Sequence, residues 1–299
     1  YISQNDGSLM SAEAVEQYPV LTFASGPTNS MRGAAYLSEA KDAVVVDIGG
    51  TTTDIGVLTH GFPRESAIAS DVGGVRTNFR MPDIIALGLG GGSLIHQGTP
   101  LTVGPDSVGY RLTDQSLVFG GQSLTATDIA VAAGQADIGE RSRLAGIEAG
   151  VVEAALDAIH DKIEVGVDRM KTSAEPVPLI LVGGGAILVS RPIAGTDRVI
   201  TPEHAGVANA IGAAIAQIGG EIDRIFSYET LGREKALEIA GSEATAKAIE
   251  AGAEPDTVEV VELDELPLTY MPGGAVRLRA KAVGELGRGA AHAAKGGAR

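Results

Sequence analysis

Asp47-Ile-Gly-Gly-Thr-Thr-Thr-Asp54, entered through the apolar run Ala43-Val-Val-Val, is the stretch on which the fold of this chain turns. An unbroken run of mostly β-branched residues predicts a strand buried on both faces. Gly49-Gly50 then predicts a tight turn, and Ile55-Gly56-Val57-Leu58 resumes as a second strand, giving a hairpin with a polar tip. A phosphate approaching such a tip needs exposed backbone N–H donors, and Gly49 and Gly50 permit both the turn and the close approach. Thr51, Thr52 and Thr53 add hydroxyl donors. Asp47 and Asp54 bracket the loop with carboxylates suited to hydrated Mg2+, which takes one or two carboxylates together with water and phosphate oxygen. Read alone, the same loop is also an ordinary Gly-Gly hairpin with polar decoration.

Working outward, residues 1–24 read as an irregular opening segment. Ser25-Gly26-Pro27 is a turn signal, with Pro27 placed to open a helix over 27–40. Gly33, Ala34 and Ala35 let that helix lie close to a neighbour. Residues 61–124 are Gly-rich with short strand-like pieces, and a helix is predicted over 126–135. The longest helix is predicted over 144–171, where Leu144, Ile147, Val151, Ala155, Ile159, Ile163, Val167 and Met170 recur at helical steps. Leu179-Ile-Leu-Val182 reads as a second buried strand. It empties into Gly183-Gly184-Gly185-Ala186, where bare backbone leaves room for a flat ring or a phosphate. By itself this is equally a strand-to-helix connection. A small-residue helix over 203–218 contains Gly206-Val-Ala-Asn-Ala-Ile-Gly-Ala-Ala214. A charged helix near 232–252, strands at 258–262 and 276–283, and a mobile tail at 287–299 complete the reading.

Small-residue helix, Asp-bracketed hairpin, distant triple-Gly strand end and second small-residue helix, in that order, resemble the second half (C-terminal lobe) of the actin, sugar kinase and heat-shock chaperone ATPase fold, an α/β fold of ribonuclease H-like type. Ser25-Gly26-Pro27, Val46-Asp-Ile-Gly-Gly-Thr-Thr-Thr-Asp54 and Asp83-Ile-Ile-Ala-Leu-Gly-Leu-Gly-Gly-Gly-Ser93 together resemble the hydantoinase A/oxoprolinase family, over about residues 20–220. The resemblance implies one ATPase domain over 25–286, with an insertion at about 61–140. In it the hairpin is the second phosphate loop, the triple-Gly turn is the adenosine loop, and the small-residue helices are connecting helices at a hinge. It implies ATP and Mg2+ as cofactors and a small cyclic amide as substrate (a hydantoin, 5-oxoproline or a lactam), opened after phosphorylation of the amide oxygen. The related ketone carboxylases stand beside these hydrolases. It further implies an oligomer with a partner subunit of hydantoinase B type. No second Asp-Gly-Gly-Thr loop precedes residue 47, so an N-terminal lobe or another chain is expected to complete the cleft. The Gly/Pro-rich continuation usual in the family after Gly109 is not present, which bears on substrate choice. A non-catalytic nucleotide-binding or assembly module and a small-molecule kinase of the same fold are the rival readings.

Several further residues are candidates. Gly90-Gly91-Gly92-Ser93 could cradle a phosphate or carboxylate, or could be a tight crossing of backbones. Asp83 could act as general base or metal neighbour, or sit at a helix N-terminus after Pro82. Arg76 and Arg80 could pair with a substrate carboxylate or line a solvated loop. Composition narrows the classes. There is no Cys, which excludes disulfides and thiolate chemistry. The formal charge of −15, from 38 acidic against 23 basic residues, excludes a bulk electrostatic partnership with nucleic acid or an anionic membrane. It leaves open a small anion held locally by N–H groups. The five His are scattered without a zinc pattern, and Walker A and Gly-x-Ser-x-Gly motifs are lacking. With no signal segment or membrane-length apolar run, the cytoplasm is the expected location.

Overall fold

The computed structural model describes residues 1–66, 71–72, 74–76 and 81–287. The chain divides into two units, Ala24–Ala214 and Tyr1–Phe23 together with the chain from Ile215. Arg80 and the expected mobile tail from 288 onward lie outside the described residues. Among those described, no helix is long and apolar enough to cross a membrane.

In the Ala24–Ala214 unit the predicted hairpin forms from Ala43–Ile48 and Thr53–Thr59, paired antiparallel with Asp47 opposite Asp54. Val177–Val182 lies beside Ala43–Ile48 in parallel, with Val182 opposite Asp47. Thr196–Ile200 forms the outer edge on that side. On the far side Phe62–Pro63 and Ile84–Leu87 both pair with Thr53–Thr59. Side chains alternate across a strand, so each face of this sheet meets a different layer. Val44, Val46, Ile48, Ile55, Leu179 and Leu181 share one core with Ile159, Ile163 and Val167 of the helix Ala149–Met170. Val45, Leu58, Ile180 and Val182 share the other with Met31, Ala34 and Ala208. That second layer is made by the helices Ser25–Ser38 and Ala208–Ala214.

These two helices touch through missing side chains. A Cβ on Gly33 would stand 1.9 Å from the Ala208 carbonyl oxygen, and one on Gly212 would stand 1.8 Å from that of Asn29. The small-residue signature thus reports backbone-to-backbone packing.

Several predicted boundaries move for local reasons. The long helix begins at Ala149, because Glu148 is extended and Arg141–Leu144 forms a separate 3-10 turn. Asp83 precedes a strand, not a helix: Ile84 and Ile85 pair with Gly56 and Ile55. The second connecting helix ends at Ala214, and Ile218–Ser227 is a strand. Gly220 is the place where this strand meets the helix Arg233–Glu250, since a Cβ there would lie 2.2 Å from the Ala248 N.

That strand belongs to the other unit, whose sheet runs Ile2–Ser3, Leu9–Met10, Ile218–Ser227, Ala275–Gly284, Glu259–Pro267. The opening segment is therefore not irregular. It supplies two short strands and the helix Ala12–Gln17, capped by Ser11. The helix Arg233–Glu250 covers one sheet face with the stripe Ala236, Ala240, Ala244 and Ala248. The opposite face holds Lys281 and Arg279, each almost fully buried and paired, Lys281 to Asp6 at 2.8 Å and Arg279 to Glu221 and Glu262.

The helix crossing yields a stability test. Gly33→Ala or Gly212→Ala should cost about 1–3 kcal/mol or more, because the clash is with backbone that cannot rotate away. Gly241→Ala, in the middle of Arg233–Glu250 with only an ordinary 3.6 Å contact to Val260, should cost nothing or stabilise slightly. Urea denaturation midpoints distinguish the two outcomes.

Candidate functional site

Because Ala43–Ile48 and Val177–Val182 run parallel in register, both reach the same edge of the sheet, and the loops that follow them adjoin. A Cβ on Gly183 would meet Asp47 Oδ1 at 2.4 Å and the Ile48 carbonyl oxygen at 2.3 Å. One on Gly185 would meet the Gly49 carbonyl oxygen at 3.0 Å. Gly50 and Gly184 are exposed, and added Cβ atoms there would meet nothing within 4 Å. The two glycine-lined strand ends therefore open on one mouth, at the carboxyl ends of parallel strands, where open α/β sheets bind ligands.

The hairpin tip carries free donors. Gly49 N–H bonds the Thr52 carbonyl at 2.9 Å and closes the turn. The N–H groups of Gly50, Thr51 and Thr52 have no partner among the described residues, and neither do the exposed hydroxyls of Thr51 and Thr52. Thr53 differs: its buried hydroxyl donates to the Leu89 carbonyl at 2.7 Å and pins the hairpin from below.

Gly90–Ser93 lies beneath the tip and is fully buried. Gly91 N–H donates to the Gly49 carbonyl at 3.0 Å, Gly92 N–H to that of Gly50 at 2.7 Å, and Gly90 N–H to Ser93 Oγ at 2.9 Å. Ser93 N–H closes on the Gly90 carbonyl. With all these donors occupied inside the protein, the observed contacts favour the backbone crossing over a phosphate cradle. Thr127 clamps the loop from the other side, through its N–H and its hydroxyl, both to the Gly91 carbonyl at 2.9 Å.

Parity places the carboxylates. Asp47 follows Val45, and Asp54 precedes Gly56 and Leu58, so both side chains point to the layer of the two connecting helices, directly opposite one another. Like charges opposite each other in a ladder repel. Burial, then the nearby Asp47 charge, pushes the Asp54 carboxyl up to about 6. Burial also raises Asp47, with the Ser30 hydroxyl pulling the other way. Two half-buried, mutually repelling carboxylates suit a hydrated divalent cation, and the free N–H donors suit an anion beside it. No group of three or more His, Cys, Asp or Glu is assembled among the described residues.

Asp83 is not brought to this place. It sits before Ile84, beyond the Gly56 end of the pairing with Thr53–Thr59 and so about 10 Å along the strand from Asp54. Its carboxylate takes both Arg64 Nε at 3.1 Å and Arg64 Nη2 at 2.7 Å. A carboxylate held by an arginine fork is a structural ion pair, not a free base. Arg76 lies exposed on a two-residue strand. His160 is packing: it is fully buried in the long helix, with its ring against the Leu156 carbonyl and the Ser190 N–H.

The Hydantoinase/oxoprolinase family model matches residues 1–138. The gamma subunit of acetophenone carboxylase from Aromatoleum aromaticum is 32% identical over 119 residues, 38% of this chain and 16% of that subunit. Two solved structures are similar over 95% of this chain at 18% identity. They are nucleotide-free acetone carboxylase, with a TM-score of 0.64, and the ATP-dependent caprolactamase of Pseudomonas jessenii, with a TM-score of 0.66. The chain spans 52% and 53% of their lengths, so about half of each. The fold is the actin-like ATPase fold. The hydantoinase/oxoprolinase region contains the hairpin, both carboxylates and the Gly90–Ser93 brace, whereas Gly183–Ala186 lies beyond the matched residues.

Ser30 and Asn209 adjoin the carboxylate pair, and sequence reasoning did not single them out. Ser30 faces Asp47 from the first connecting helix. Asn209 Nδ2 reaches from the second helix to Ser30 Oγ at 3.2 Å and the Gly26 carbonyl at 2.8 Å. A signal existed for Asn209: it is the single polar residue within Gly206–Ala214.

The carboxylate pair makes a pH prediction. An unfolded Asp loses its proton near 3.8, whereas folded Asp54 holds its own to about 6. Between those values the folded state binds more protons, so this group's contribution to stability falls as pH rises through the window. In buffer free of divalent cations, the melting temperature of wild type should fall relative to Asp54→Asn between about pH 4 and 6.5, and the variant should be the more stable above it. Parallel curves for the two proteins would remove the coupling.

Proposed function

We propose that this chain binds Mg-ATP at the mouth shared by Gly49–Thr53 and Gly183–Ala186, and phosphorylates the carbonyl-derived oxygen of a small acceptor, in the first place a cyclic amide. The observation that supports this most directly is the meeting of an open glycine turn with three unpartnered N–H groups and a carboxylate pair. Gly50, Thr51 and Thr52 would donate to the terminal phosphate, with the Thr51 and Thr52 hydroxyls beside them. Gly183–Ala186 would face adenosine, since the space above Gly184 is open. Asp47 and Asp54 would hold Mg2+ through its waters. When bound, that ion supplies charge neutralisation for the phosphate oxygens, and the raised carboxyl of Asp54 would return to its ionised form beside it. Gly90–Ser93 holds the turn and touches no ligand.

In the reaction we propose, the amide oxygen forms a bond to the terminal phosphorus and the bond to the leaving nucleoside diphosphate breaks. Water then adds to the activated carbon, the ring C–N bond opens with a proton passing to nitrogen to leave an acyl phosphate, and a second water releases phosphate from the carboxylate. The protein's part in such phosphoryl transfer is positioning and charge neutralisation. Carboxylation of a ketone is the second reading, favoured by the 32% identity to a carboxylase subunit. A partner subunit of hydantoinase B type and a further lobe of the cleft belong to the same proposal, as do an oligomeric assembly and a cytoplasmic setting.

The test is ATP consumption by the full-length gene product with its partner subunit, with and without hydantoin, 5-oxoproline, caprolactam, or acetophenone plus bicarbonate. Ring-opened product with stimulated phosphate release supports the first reading, and carboxylated product the second. Nucleotide binding without stimulated turnover indicates a binding module, and an accumulating phosphorylated product indicates a kinase. Asp47→Asn or Asp54→Asn should lower Mg-dependent turnover at least about 100-fold, a loss of the size expected when a central charge stabiliser is removed. Gly184→Val, which meets no neighbour in the folded chain, should fold normally and weaken ATP binding by filling the mouth.

A further inference from the structure

One buried hydroxyl beside the carboxylate pair has the direction of its proton set by its neighbours. Ser30, on the helix Ser25–Ser38, is 1% exposed. Two other hydroxyls of that helix turn back on the carbonyl four residues earlier, Thr28 Oγ1 on Ala24 at 3.0 Å and Ser38 Oγ on Ala34 at 2.7 Å. That carbonyl is the ordinary local partner of a helical hydroxyl. For Ser30 it belongs to Gly26, and Asn209 Nδ2 donates to it from the helix Ala208–Ala214 at 2.8 Å. Among the described residues Ser30 Oγ makes no bond to it.

The Asn209 amide can sit only one way round. A carbonyl oxygen accepts and cannot donate, so the NH2 end must face Gly26. The same NH2 gives its second proton to Ser30 Oγ at 3.2 Å. An oxygen that accepts there keeps its own single proton for another partner. The Asp47 carboxylate lies on that side: it points to the layer of these two helices, and burial pushes its carboxyl up while the Ser30 hydroxyl pulls the other way. Asp54, opposite Asp47 in the ladder, makes no side-chain hydrogen bond among the described residues. The donor chain from Asn209 through Ser30 therefore ends on one carboxylate of the pair and not on the other.

We propose that Ser30 and Asn209 are positioning residues for Asp47: Asn209 fixes the Ser30 hydroxyl with its proton toward the Asp47 carboxylate, and that bond holds the carboxylate in one orientation for the waters of a bound cation. This rests on the reading of the mouth as a Mg-ATP site and adds to it the residues that aim its acid. A carboxylate facing a cation takes its orientation from the donors behind it. Among the described residues Ser30 is the donor that Asp47 has.

The test separates orientation from charge. Asn209→Asp keeps the size of the side chain but can only accept, so it would take the Ser30 proton and release Asp47. Coulomb attraction alone predicts tighter cation binding from the added negative charge, whereas the proposal predicts weaker binding. The full-length protein is titrated calorimetrically with a non-hydrolysable ATP analogue at a series of Mg2+ concentrations. Asn209→Asp, Asn209→Ala and Ser30→Ala should each weaken the apparent Mg2+ affinity about 10-fold, with affinity for the metal-free analogue unchanged. Asn209 is exposed on its helix, so its variants should fold. A second readout needs no metal. In chelator-treated buffer the melting shifts of Asp47→Asn and Asn209→Ala should fail to add, and in a Ser30→Ala background they should add, because that hydroxyl links the two residues. Unchanged or tighter Mg2+ binding by Asn209→Asp, or additive melting shifts with Ser30 in place, overturns the proposal while the nucleotide site stands. A wild type whose affinity for the analogue ignores Mg2+ sinks the parent reading, and the proposal with it.

Discussion

The parallel pairing of Ala43–Ile48 with Val177–Val182 is the constraint from which the site follows. It forces two chain segments more than 130 residues apart to end at one edge of the sheet, with Val182 beside Asp47. Everything laid over that edge then depends on backbone passing backbone without side chains between. Gly183 and Gly185 pass the Ile48–Gly49 carbonyls, and Gly90 passes Gly50 and Thr51 closely enough that a Cβ would lie 2.5 Å from the Thr51 N. Glycine is required at these three places for steric reasons alone, before any ligand is considered. Gly50 and Gly184 are the opposite case, glycines with open space in front of them, and the contrast divides the glycines that build the mouth from those that face it.

The same edge places two carboxylates opposite each other, an arrangement a sheet does not adopt for stability. Partial burial, then repulsion from Asp47, pushes the Asp54 carboxyl up to about 6, so near neutral pH the pair stores unfavourable energy that a cation would relieve. The hydroxyl of Ser30 is the counterweight on Asp47, and Asn209 ties Ser30 and Gly26 together across the two connecting helices. Those helices meet most closely at Gly33 and Gly212, with no interlocking side chains at those points. A polar thread thus runs from Asp47 through Ser30 and Asn209 to both helices, beside a crossing made of bare backbone.

Much of this was legible in the sequence because its signals are local. A β-branched run ending in Asp, two glycines and a threonine string has few other structural solutions, and the Val-Gly-Gly-Gly end of Leu179–Ala186 reads similarly. What remained hidden is relational. Asp83 looked like a helix start because Pro precedes it, and only the pairing of Ile84–Leu87 with Thr53–Gly56 shows it leading a strand and held by Arg64. Gly90–Ser93 presents the same letters whether its N–H groups face a phosphate or a neighbouring carbonyl, and the carbonyls of Gly49 and Gly50 that occupy them lie some forty residues upstream. The opening segment looked irregular since strands of two residues carry no periodicity. The packing role of Gly220 has no local signal, because the alanine stripe that needs the missing side chain follows it in the chain.

These layers differ in how freely they can change. The Gly90–Ser93 crossing is buried, bonded on both sides and gripped by Thr127, so nearly any side chain added there displaces the hairpin. The turn Gly109–Arg111 is fastened at the same hairpin by Ser107, Val108 and Gly109, while Tyr110 and Arg111 project from it without packing on anything that the hairpin needs. Substitution there alters what is presented beside Thr51 and leaves the free N–H donors of the hairpin tip where they are. A scaffold arranged in this way holds the hairpin tip through its glycine contacts, and an outer turn can vary in sequence without rebuilding the mouth.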